Sequence, residues 1–435
     1  MISPARMLAF QQLKKILQDG SYSNLTVAES LRGRSVTEAD RALSTTLVYG
    51  VIERKITLDY QLTRYLKQPL RKLKPAVYLS LLLGSYQILF LSKIPDHAAV
   101  NESVELVKKN GAAYAGGLVN AVLHKIIQNG LVLPEEGNDV FRTSIEYSCP
   151  EYLIELWQNA YGEEATLGIL KASLGAKPVT VRVNTTKTTT DNLIRTLQEE
   201  GVRAERNELV EDALDLSHVG SVEQLPSFQN GLFHVQDASS QLCCKQLDVQ
   251  PGDVVYDMCA APGGKTFTLA ERMGDNGFIQ AFDLHEHRVR LIQDGAERLG
   301  LRSVTAAVGN AEEFEEGRPL ADRILCDVPC AGLGIIGRKP EIRYKDPGSF
   351  DNLPPLQYHI LCIASRYLKP RGRLIYSTCS LNPAENEAVV ERFLSEHPDY
   401  VRILEKTLLP GEIPCDGFFY AVLERTEGTA WEKKT

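Results

Sequence analysis

The 435-residue sequence lacks an apolar run long enough to cross a membrane. Its longest apolar stretch, Ala76–Leu91, is interrupted by small and polar residues, and a membrane-spanning helix needs about 20 consecutive apolar residues. The N-terminal segment carries Arg6 where a secretory signal would be apolar, and no small-residue cleavage site follows it. We therefore expect a cytoplasmic protein with no membrane association.

The sequence also lacks the cysteine and histidine spacings of disulfide frameworks and zinc sites. Its nine cysteines are an odd number in a long chain without a signal peptide, which favours reduced thiols over disulfides. No C-x-x-C pair is present, and the eight histidines do not fall at the spacings of zinc ligands. Cys326 and Cys330 could form half of a metal site, but no second pair of ligands accompanies them. We therefore expect no metal.

The net charge of −8 is distributed unevenly along the chain. Residues 1–130 contain 17 lysines and arginines against 9 aspartates and glutamates, a net charge of +8, which leaves −16 for the remainder. A basic segment attached to an acidic body is typical of a domain that binds a polyanion. A solvated, lysine-rich helical domain without such a ligand would explain the charge equally well.

Hydrophobic periodicity divides the chain into three regions. Residues 1–133 have helical spacing throughout and predict an all-α bundle, followed by the linker-like segment LPEEGND at 133–139. Residues 145–231 mix helices with the strand-like VTVRVNT and predict a small α/β subdomain. Residues 232–435 alternate strands and helices, which is typical of a parallel sheet with crossover helices.

The strands and helices of the third region can be assigned from the same patterns. Five strands are predicted, at 253–258, 278–283, 303–308, 322–327 and 372–378. Helices are predicted between and after them, near 265–273, 286–299, 356–368 and 384–396.

A glycine-bearing loop, Cys259–Lys265, lies between the first of these strands and a helix. Glycine has no Cβ, so a ligand can approach such a loop closely at the helix N-terminus. The G-x-G-x-x-G pattern of nicotinamide and flavin enzymes is absent. S-adenosylmethionine has no pyrophosphate and needs a looser turn with carboxylates at strand ends, which Asp257, Asp283 and Asp327 could provide. The alternative is an ordinary turn that binds nothing, and the aligned acids make it the weaker interpretation.

Two cysteines follow strands that should end at the same edge of the sheet as this loop. Cys330 follows the fourth strand and Cys379 the fifth, and ligands of open parallel sheets bind outside the carboxyl ends of the strands. A thiolate that adds to C6 of cytosine makes C5 reactive toward a sulfonium methyl group, provided that the site lowers the pKa of the cysteine. A carboxylic acid near N3 would assist, which suits Asp327. A second thiol could assist loss of the C5 proton.

The remaining cysteines of this region fit a structural role better. Cys326 lies within a strand and Cys362 within a helix, where a cysteine is usually a small buried apolar residue. Cys243 and Cys244 are interpreted in the same way.

Three segments resemble the signature motifs of the Nol/Nop/Sun RNA cytosine-5 methyltransferases. They are DMCAAPGGKT, DVPCAGLG and YSTCSLNPAENE, in the order of that family, and VRVNT, QDASSQ and DGFFYA extend the match. The N-terminal region is similar to the antitermination factor NusB in HAAVNESVELVKK and GGLVNAVLHKI. The resemblance implies an all-α NusB-like RNA-binding bundle, a small α/β subdomain and an α/β Rossmann-like methyltransferase domain with a mostly parallel sheet.

The resemblance also implies a reaction and a set of site residues. The cofactor would be S-adenosylmethionine and the target C5 of a cytosine in 16S small-subunit ribosomal RNA, cytosine 967, in naked RNA or an early assembly particle. Cys379 would be the nucleophile and Cys330 would assist product release, with Asp327 and Lys265 completing the catalytic set. The cofactor would be held by Cys259, Ala260, Ala261, Pro262, Gly263, Gly264, Lys265, Asp283, Asn310 and Asp327.

Several alternatives stay open at this point. The family usually has an aspartate where this chain has Asn310, so altered cofactor contacts are expected there. DNA cytosine-5 methyltransferases use the cysteine that corresponds to Cys330 as nucleophile, so the role of Cys379 depends on the family resemblance and not on spacing. An RNA-binding assembly factor without catalysis and an enzyme that acts on another RNA, such as tRNA, are the competing functions.

Overall fold

A computed structural model describes residues 2–19, 23, 26, 27, 30, 36–217 and 219–427. The chain forms two compact units, one of Met1–Gly175 with Ile336–Lys345 and one of Ala176–Ile335 with Asp346–Thr435. The last residues of the predicted third region, 428–435, lie outside the described residues. Within the described part, no helix is both long and apolar enough to span a membrane.

The first unit is helical, and its described residues contain no strand. Its α-helices are α1 (Pro4–Asp19), α2 (Glu38–Glu53), α3 (Lys55–Thr63), α4 (Pro75–Phe90), α5 (Asp96–Val107), α6 (Gly116–Asn129), α7 (Asp139–Tyr147) and α8 (Glu151–Ala172). This confirms the all-α prediction. The apolar stretch that is too short for a membrane forms α4, whose residues from Leu79 to Gln87 are all buried, because a helix that is apolar on every side belongs inside a bundle.

Local sequence explains where these helices begin and break. Thr37 caps α2 through its side chain, which accepts a hydrogen bond from the backbone N–H of Asp40. Pro75 begins α4 at a position where its missing N–H costs nothing. The sequence pattern predicts separate helices at 151–159 and 163–172, and the structure confirms the break: Gly162 interrupts α8 with a non-helical backbone (φ 85°) between two helical segments.

A segment far along the chain, residues 336–345, is part of the helical unit. Its Arg343 is fully buried and donates a hydrogen bond to the carbonyl oxygen of Ser148 at 2.9 Å. The hydroxyl of Tyr344 donates to the carbonyl oxygen of Ile52 at 2.7 Å. Sequence periodicity has no means of assigning such a short segment to a bundle that lies so far from it along the chain.

The second unit begins with a small antiparallel sheet of strand order β2-β3-β1-β4. Its strands are β1 (Val179–Val183), β2 (Arg203–Arg206), β3 (Ala213–Ser217) and β4 (Phe233–Val235), and its helices are α9 (Thr190–Glu199) and α10 (Pro226–Gln229). The predicted strand in VTVRVNT is β1, and its Val181 and Val183 pack with Leu193 and Phe233 in one core.

A seven-stranded sheet of order β10-β11-β9-β8-β5-β6-β7 forms the rest of the second unit. Its strands are β5 (Val254–Asp257), β6 (Phe278–Asp283), β7 (Val304–Val308), β8 (Ala321–Asp327), β9 (Leu368–Thr378), β10 (Tyr400–Leu408) and β11 (Phe418–Arg425). Its helices are α11 (Ala238–Gln246), α12 (Gly264–Arg272), α13 (Glu286–Leu299), α14 (Leu353–Ser365) and α15 (Glu387–Glu396). All five predicted strands are present, and the mostly parallel sheet is confirmed. The last two strands, which pair antiparallel, were not predicted.

The connections of this sheet place a crevice between β5 and β8. The chain passes from β5 to β6 and β7 on one side, and β8 and β9 then continue the sheet on the other side. In such sheets, ligands bind at the carboxyl ends of the strands where the order reverses. Asp257 ends β5 and Asp327 ends β8, so both predicted acids lie at this switch point.

Candidate active site

The two cysteine-bearing turns lie side by side at the carboxyl edge of the large sheet. Strands β8 and β9 are parallel neighbours, and Asp327 is paired in register with Ser377. The backbone N–H of Val328 extends the pairing by donating to the carbonyl oxygen of Ser377 at 3.1 Å. The turns that follow bring Cys330 Sγ to 3.3 Å from Cys379 Sγ. The structure thus brings together the two thiols that the sequence singles out.

Two glycines allow these turns to approach each other. The N–H of Gly334 donates to the carbonyl oxygen of Cys379, and the N–H of Gly417 donates to that of Gly334, both at 2.9 Å. A Cβ on Gly334 would stand only 2.0 Å from the carbonyl oxygen of Gly417. Since no heavy atoms pack at that distance, the motif needs a glycine here for space.

The two sulfurs share one hydrogen bond, in which either sulfur can act as the donor. Hydrogen bonding to Cys379, burial and the nearby carboxylate of Glu385 raise the pKa of Cys330 well above its ordinary value. These surroundings favour the protonated form of Cys330, whose S–H is then placed to donate to Cys379. A donor at this position stabilises a thiolate on Cys379, as a nucleophile there would require.

Lys265 and Asp327 form an ion pair beside the thiols. The ammonium Nζ of Lys265 lies 2.8 Å from Oδ2 of Asp327, and the hydroxyl of Ser377 donates to Oδ1 at 2.8 Å. Burial lowers the pKa of Lys265, but the carboxylate of Asp327 more than offsets this, and the pKa is raised overall. The raised pKa keeps the lysine charged, so Lys265 holds a positive charge beside Asp327 at the switch point.

The loop that was predicted to hold a cofactor is tied down at the switch point. Gly263 has φ 109°, a conformation that favours glycine, and a Cβ there would meet the ring of Phe267 at 2.3 Å. The N–H of Ala260 donates to the carbonyl oxygen of Phe282 at 2.8 Å, and the guanidinium of Arg288 donates to the carbonyl oxygen of Ala261 at 2.9 Å. The loop Cys259–Lys265 is therefore preformed between the ends of β5 and β6.

The strand-end acids next to this loop differ in their surroundings. Asp257 is buried, accepts a hydrogen bond from Thr266 at 2.7 Å through Oδ2, and leaves Oδ1 without a hydrogen-bond partner. Burial raises the pKa of Asp257 to about 7. Asp283 is also buried, but the guanidinium of Arg288 lies 3.2 Å from its Oδ2. A buried carboxylate oxygen with no partner is suited to accept a donor from a ligand.

Asn310 lies at the same edge, just after β7, and its side chain is engaged locally. Its Oδ1 accepts a hydrogen bond from the N–H of Glu312 at 3.1 Å, and its Nδ2 donates to the carboxylate of Glu313 at 2.9 Å. The amide thus uses both of its polar ends within its own turn. An aspartate at this position would lack the donor that pairs with Glu313.

Glu385 and Gln357 also contact the turns that carry Cys330 and Cys379 (the thiol turns), although we did not predict them as site residues. Glu385 lies within the motif YSTCSLNPAENE, so a signal for it was present in the sequence. Gln357 lies on α14 and is fully buried, and its Nε2 donates to the carbonyl oxygen of Pro329 at 2.8 Å. A single glutamine on an apolar helix carries no signal of its own, because only the packed structure shows what it touches.

The four cysteines to which the sequence analysis gives a structural role are shielded from solvent to different degrees. Cys243, Cys244 and Cys326 are fully buried, and Cys362 is half-buried on α14. Across the described ranges, no three His, Cys, Asp or Glu side chains are grouped in a way that could hold a metal ion.

Three family profiles match successive parts of the chain. The 16S rRNA methyltransferase RsmB/F profile matches residues 244–424, the NusB family profile residues 3–128, and the ferredoxin-like domain profile of the RsmF/B-like methyltransferases residues 149–223. Together they cover most of the sequence in the order of its three predicted regions.

Named relatives align with nearly the whole chain. The chain is 37% identical to the probable ribosomal RNA small subunit methyltransferase B of Bacillus subtilis, over 97% of this chain and 98% of that protein. It is 32% identical to the ribosomal RNA small subunit methyltransferase B of Escherichia coli, over 96% of this chain and 98% of that protein.

Solved structures of similar fold come from Pyrococcus horikoshii. A methyltransferase homologue aligns with a TM-score of 0.59 at 28% identity, over 67% of this chain and all of that one. The structure of NSun6 with SFG aligns with a TM-score of 0.58 at 22% identity, over 64% of this chain and 99% of that one, and it supports the fold alone.

Proposed function

The chain belongs to the RsmB/F family of 16S rRNA methyltransferases, and we propose that it methylates C5 of a cytosine in small-subunit RNA through a covalent adduct on Cys379. The observation that carries this proposal is the pair of thiols, 3.3 Å apart, at the switch point of the sheet. Adduct chemistry needs a sulfur nucleophile and a second group to release it, and these two side chains provide both.

S-adenosylmethionine is the cofactor, and the residues at the end of β5 and β6 fit it. When bound, it supplies a methyl group activated by a sulfonium. The glycine loop gives space for close approach, Asp283 suits ribose hydroxyls, and the unpartnered Oδ1 of Asp257 can accept a donor. We propose that the cofactor is held by Cys259, Ala260, Ala261, Pro262, Gly263, Gly264, Lys265, Asp283, Asn310 and Asp327.

The side chains around the thiols would act in a defined sequence. The thiolate of Cys379 adds to C6, a proton reaches N3 from the Lys265–Asp327 pair, and C5 becomes the nucleophile that takes the methyl group. The C5 proton then passes to the sulfur of Cys330, which gives its own proton to Cys379, and N3 returns its proton to the Lys265–Asp327 pair. The C5–C6 double bond is restored as the electron pair of the S–C6 bond returns to Cys379. The S–H of Cys330 assists this release by donating to the departing thiolate.

Alanine variants of the two cysteines test this assignment separately. Cys379→Ala should abolish methyl transfer to 16S RNA and leave S-adenosylmethionine binding intact, because the cofactor loop does not contain Cys379. Cys330→Ala should accumulate a protein–RNA adduct, visible as a band that survives denaturation, because release is slowed. The measurements are transfer of labelled methyl groups, calorimetric cofactor binding and a denaturing gel.

A matched control and the contrary outcomes complete this test. Cys362→Ala, on the half-buried face of α14, should behave as wild type. If Cys379→Ala trapped RNA and Cys330→Ala did not, the two roles would have to be exchanged. No transfer to any RNA by the wild-type protein would favour a non-catalytic RNA-binding assembly factor.

The proposed target is a cytosine that is unpaired or extruded, at position 967 of the 16S RNA. Enzymes that modify a base need it outside the helical stack, which favours a loop nucleotide in naked RNA or an early assembly particle. Mapping 5-methylcytosine in the product of the wild-type reaction at nucleotide resolution identifies the base. Labelling of tRNA in preference to 16S RNA would contradict this substrate.

We further propose three domains: a helical region at residues 1–133, a small subdomain at 145–231 and the methyltransferase domain at 232–435. The helical region would bind RNA phosphates. The net charge of +8 in residues 1–130 supports this role, since cationic side chains dominate affinity for nucleic acid. Lys14 and Lys74 are exposed and line one cavity of about 320 Å³ together with Asn110. Tyr114, with 72% of its surface exposed, lies beside them, with the Lys74 ammonium 5.3 Å from its ring centre.

A further inference from the structure

A buried carboxylate lies between the two thiol turns. Glu385 precedes α15 and has no exposed surface. One of its oxygens, Oε2, accepts a hydrogen bond from the backbone N–H of Ala331 at 2.8 Å, and the other, Oε1, accepts one from the hydroxyl of Ser380 at 2.6 Å. Ala331 directly follows Cys330, and Ser380 directly follows Cys379. A single side chain is therefore hydrogen-bonded to both turns.

Gln357 extends this contact to the other side of Cys330. Its Nε2 donates to Oε2 of Glu385 at 3.0 Å and to the carbonyl oxygen of Pro329 at 2.8 Å. The residues on both sides of Cys330 are thereby connected to the carboxylate, through Ala331 directly and through Pro329 by way of Gln357. The position of the Cys330 sulfur depends on this network.

All three partners of the carboxylate are hydrogen-bond donors. A buried carboxylate is costly unless donors satisfy it, and these three offset that cost. A glutamine has the same shape but only one acceptor oxygen, so its N–H would face either the donors on the Cys330 side or the Ser380 hydroxyl, which would then have to accept instead of donate. Only an acid at residue 385 accepts from all three donors at once.

The charge of Glu385 also acts on the thiols. The groups that face Cys330 are the thiol of Cys379, the carboxylates of Glu385 and Asp327, and the phenol of Tyr376. Hydrogen bonding to Cys379 and burial are the main causes of the raised pKa of Cys330, and the negative charges of Glu385 and Asp327 add to it by disfavouring a thiolate there. Among the described groups that face Cys330, only Glu385 has a side chain that is hydrogen-bonded to the backbone or side chain of both thiol turns.

We propose that Glu385 is a positioning residue of the thiol pair: it holds the two turns in register and keeps the proton on Cys330, so that Cys379 is the sulfur left to attack. The catalytic part of this inference rests on the proposed function. The distribution of the proton does not, because it can be measured without RNA.

Alkylation of the thiols in the full-length protein tests the proton distribution. Iodoacetamide labelling is followed by mass spectrometry of the peptides that contain Cys330 and Cys379, over a range of pH. In Glu385→Gln, the midpoint for Cys330 should move down by about one pH unit or more, because a neighbouring negative charge is lost. Glu387→Gln is the matched control: its carboxylate accepts from Thr407 at 2.9 Å, and its Cys330 midpoint should equal that of wild type.

Kinetics test the positioning. Glu385→Gln should lower kcat for RNA methylation about tenfold or more, with the KM for RNA and the cofactor affinity within about twofold of wild type, because the groups that bind either ligand are untouched. The proposal would be overturned if Glu385→Gln left both the alkylation midpoint of Cys330 and kcat unchanged. It would also be overturned if the variant raised both KM values while kcat stayed constant.

A second variant keeps the proposal testable if Glu385→Gln does not fold. Ser380→Ala removes only the hydrogen bond on the Cys379 side and should lower kcat while the Cys330 midpoint stays at the wild-type value. A Ser380→Ala enzyme with wild-type kcat would overturn the positioning role. If the Cys330→Ala protein formed no RNA adduct, the proposed function would fail. If Glu385→Gln nevertheless shifted the alkylation midpoint of Cys330, the inferred proton distribution would stand.

Discussion

Asp257 is the residue at which burial and charge conflict most directly. It is a carboxyl group with 1% of its surface exposed, hydrogen-bonded through one oxygen only, and its pKa is raised to about 7. An ordinary aspartate ionises near pH 4, so the unfolded chain releases this proton at a lower pH than the folded protein does. Between these values the folded state holds more protons, and folding stability falls as pH rises.

This linkage predicts a pH dependence that a single substitution removes. From pH 4 to pH 7 the wild-type protein should lose a few kcal/mol of stability relative to Asp257→Asn, with no further relative change above pH 8. Differential scanning calorimetry of both proteins across this range measures the effect as a gap in Tm that widens with pH. Asp294→Asn, at an exposed position on α13, should follow the wild-type curve. Parallel curves for wild type and Asp257→Asn would contradict the buried, protonated acid.

Lys265, Asp327 and Glu385 satisfy their charges in different ways. Lys265 and Asp327 pair with each other at 2.8 Å, whereas the carboxylate of Glu385 accepts from three neutral donors. The ion pair includes an ammonium that carries exchangeable protons, whereas the donors to Glu385 are amides and a hydroxyl, which fix the geometry of the two turns. The proposed division between proton delivery and positioning follows from this difference.

At the scale of elements, the turn after β8 and the start of β11 are held together by two glycines. Gly334 and Gly417 approach so closely that a methyl group on Gly334 would overlap backbone, which cannot rotate away as a side chain can. The same turn donates to the carbonyl oxygen of Cys379, so displacing it displaces the nucleophile.

Gly334→Ala should therefore reduce both stability and catalysis. Overpacking of this kind typically costs about 1–3 kcal/mol, and we expect a lower Tm together with a kcat reduced about tenfold or more. Thermal unfolding and methyl-transfer rates measure the two effects. The control is Gly348→Ala, where a Cβ would make only ordinary contacts beyond 3.7 Å and both quantities should stay near wild type. A fully active Gly334→Ala enzyme would show that the close approach is dispensable.

At the scale of the whole molecule, opposite charges are concentrated in different parts of the chain. Deleting residues 1–130 is the simplest test of RNA binding by the basic part, but Arg343 belongs to the same unit. Its guanidinium donates to the carbonyl oxygens of Ser148 and Glu53, at 2.9 and 3.4 Å, so a deletion would leave a buried charge with fewer acceptors. Point substitutions on the surface avoid this damage.

The salt dependence of RNA affinity distinguishes phosphate binding from stacking. Lys14→Gln with Lys74→Gln should weaken binding and reduce the slope of log affinity against log salt by about one for each phosphate that a lysine no longer neutralises. Tyr114→Ala should weaken binding by about 1–3 kcal/mol at every salt concentration without changing the slope, because base stacking releases no counterions. Filter binding or anisotropy with a 16S fragment measures both. Lys171→Gln, an exposed lysine on α8, is the control, and an unchanged slope in the double variant would move the phosphate-binding site elsewhere.

Much of the fold could be predicted because its signals are local. Strands β5, β6, β8 and β9 are largely buried and stand out as short apolar runs between turns, and the helices of the first unit follow from apolar spacing alone. The edge strand β10 has mostly exposed or half-buried residues and carries no such signal. β11 is an apolar run of the same kind as the predicted strands, so a signal for it was present but was not used.

The class of site follows from local sequence: a glycine loop, strand-end acids and two cysteine-bearing turns, all at positions that a parallel sheet brings to one edge. Which of these groups touch depends on how the chain packs. The tertiary structure set the sulfurs 3.3 Å apart, paired Lys265 with Asp327, and placed Glu385 between the turns that carry the thiols. Hydrogen bonds and burial at Cys330 depend on segments distant along the chain. The surroundings that favour a proton on Cys330, and with them the proposed role of Cys379 as nucleophile, therefore arise only in the folded protein.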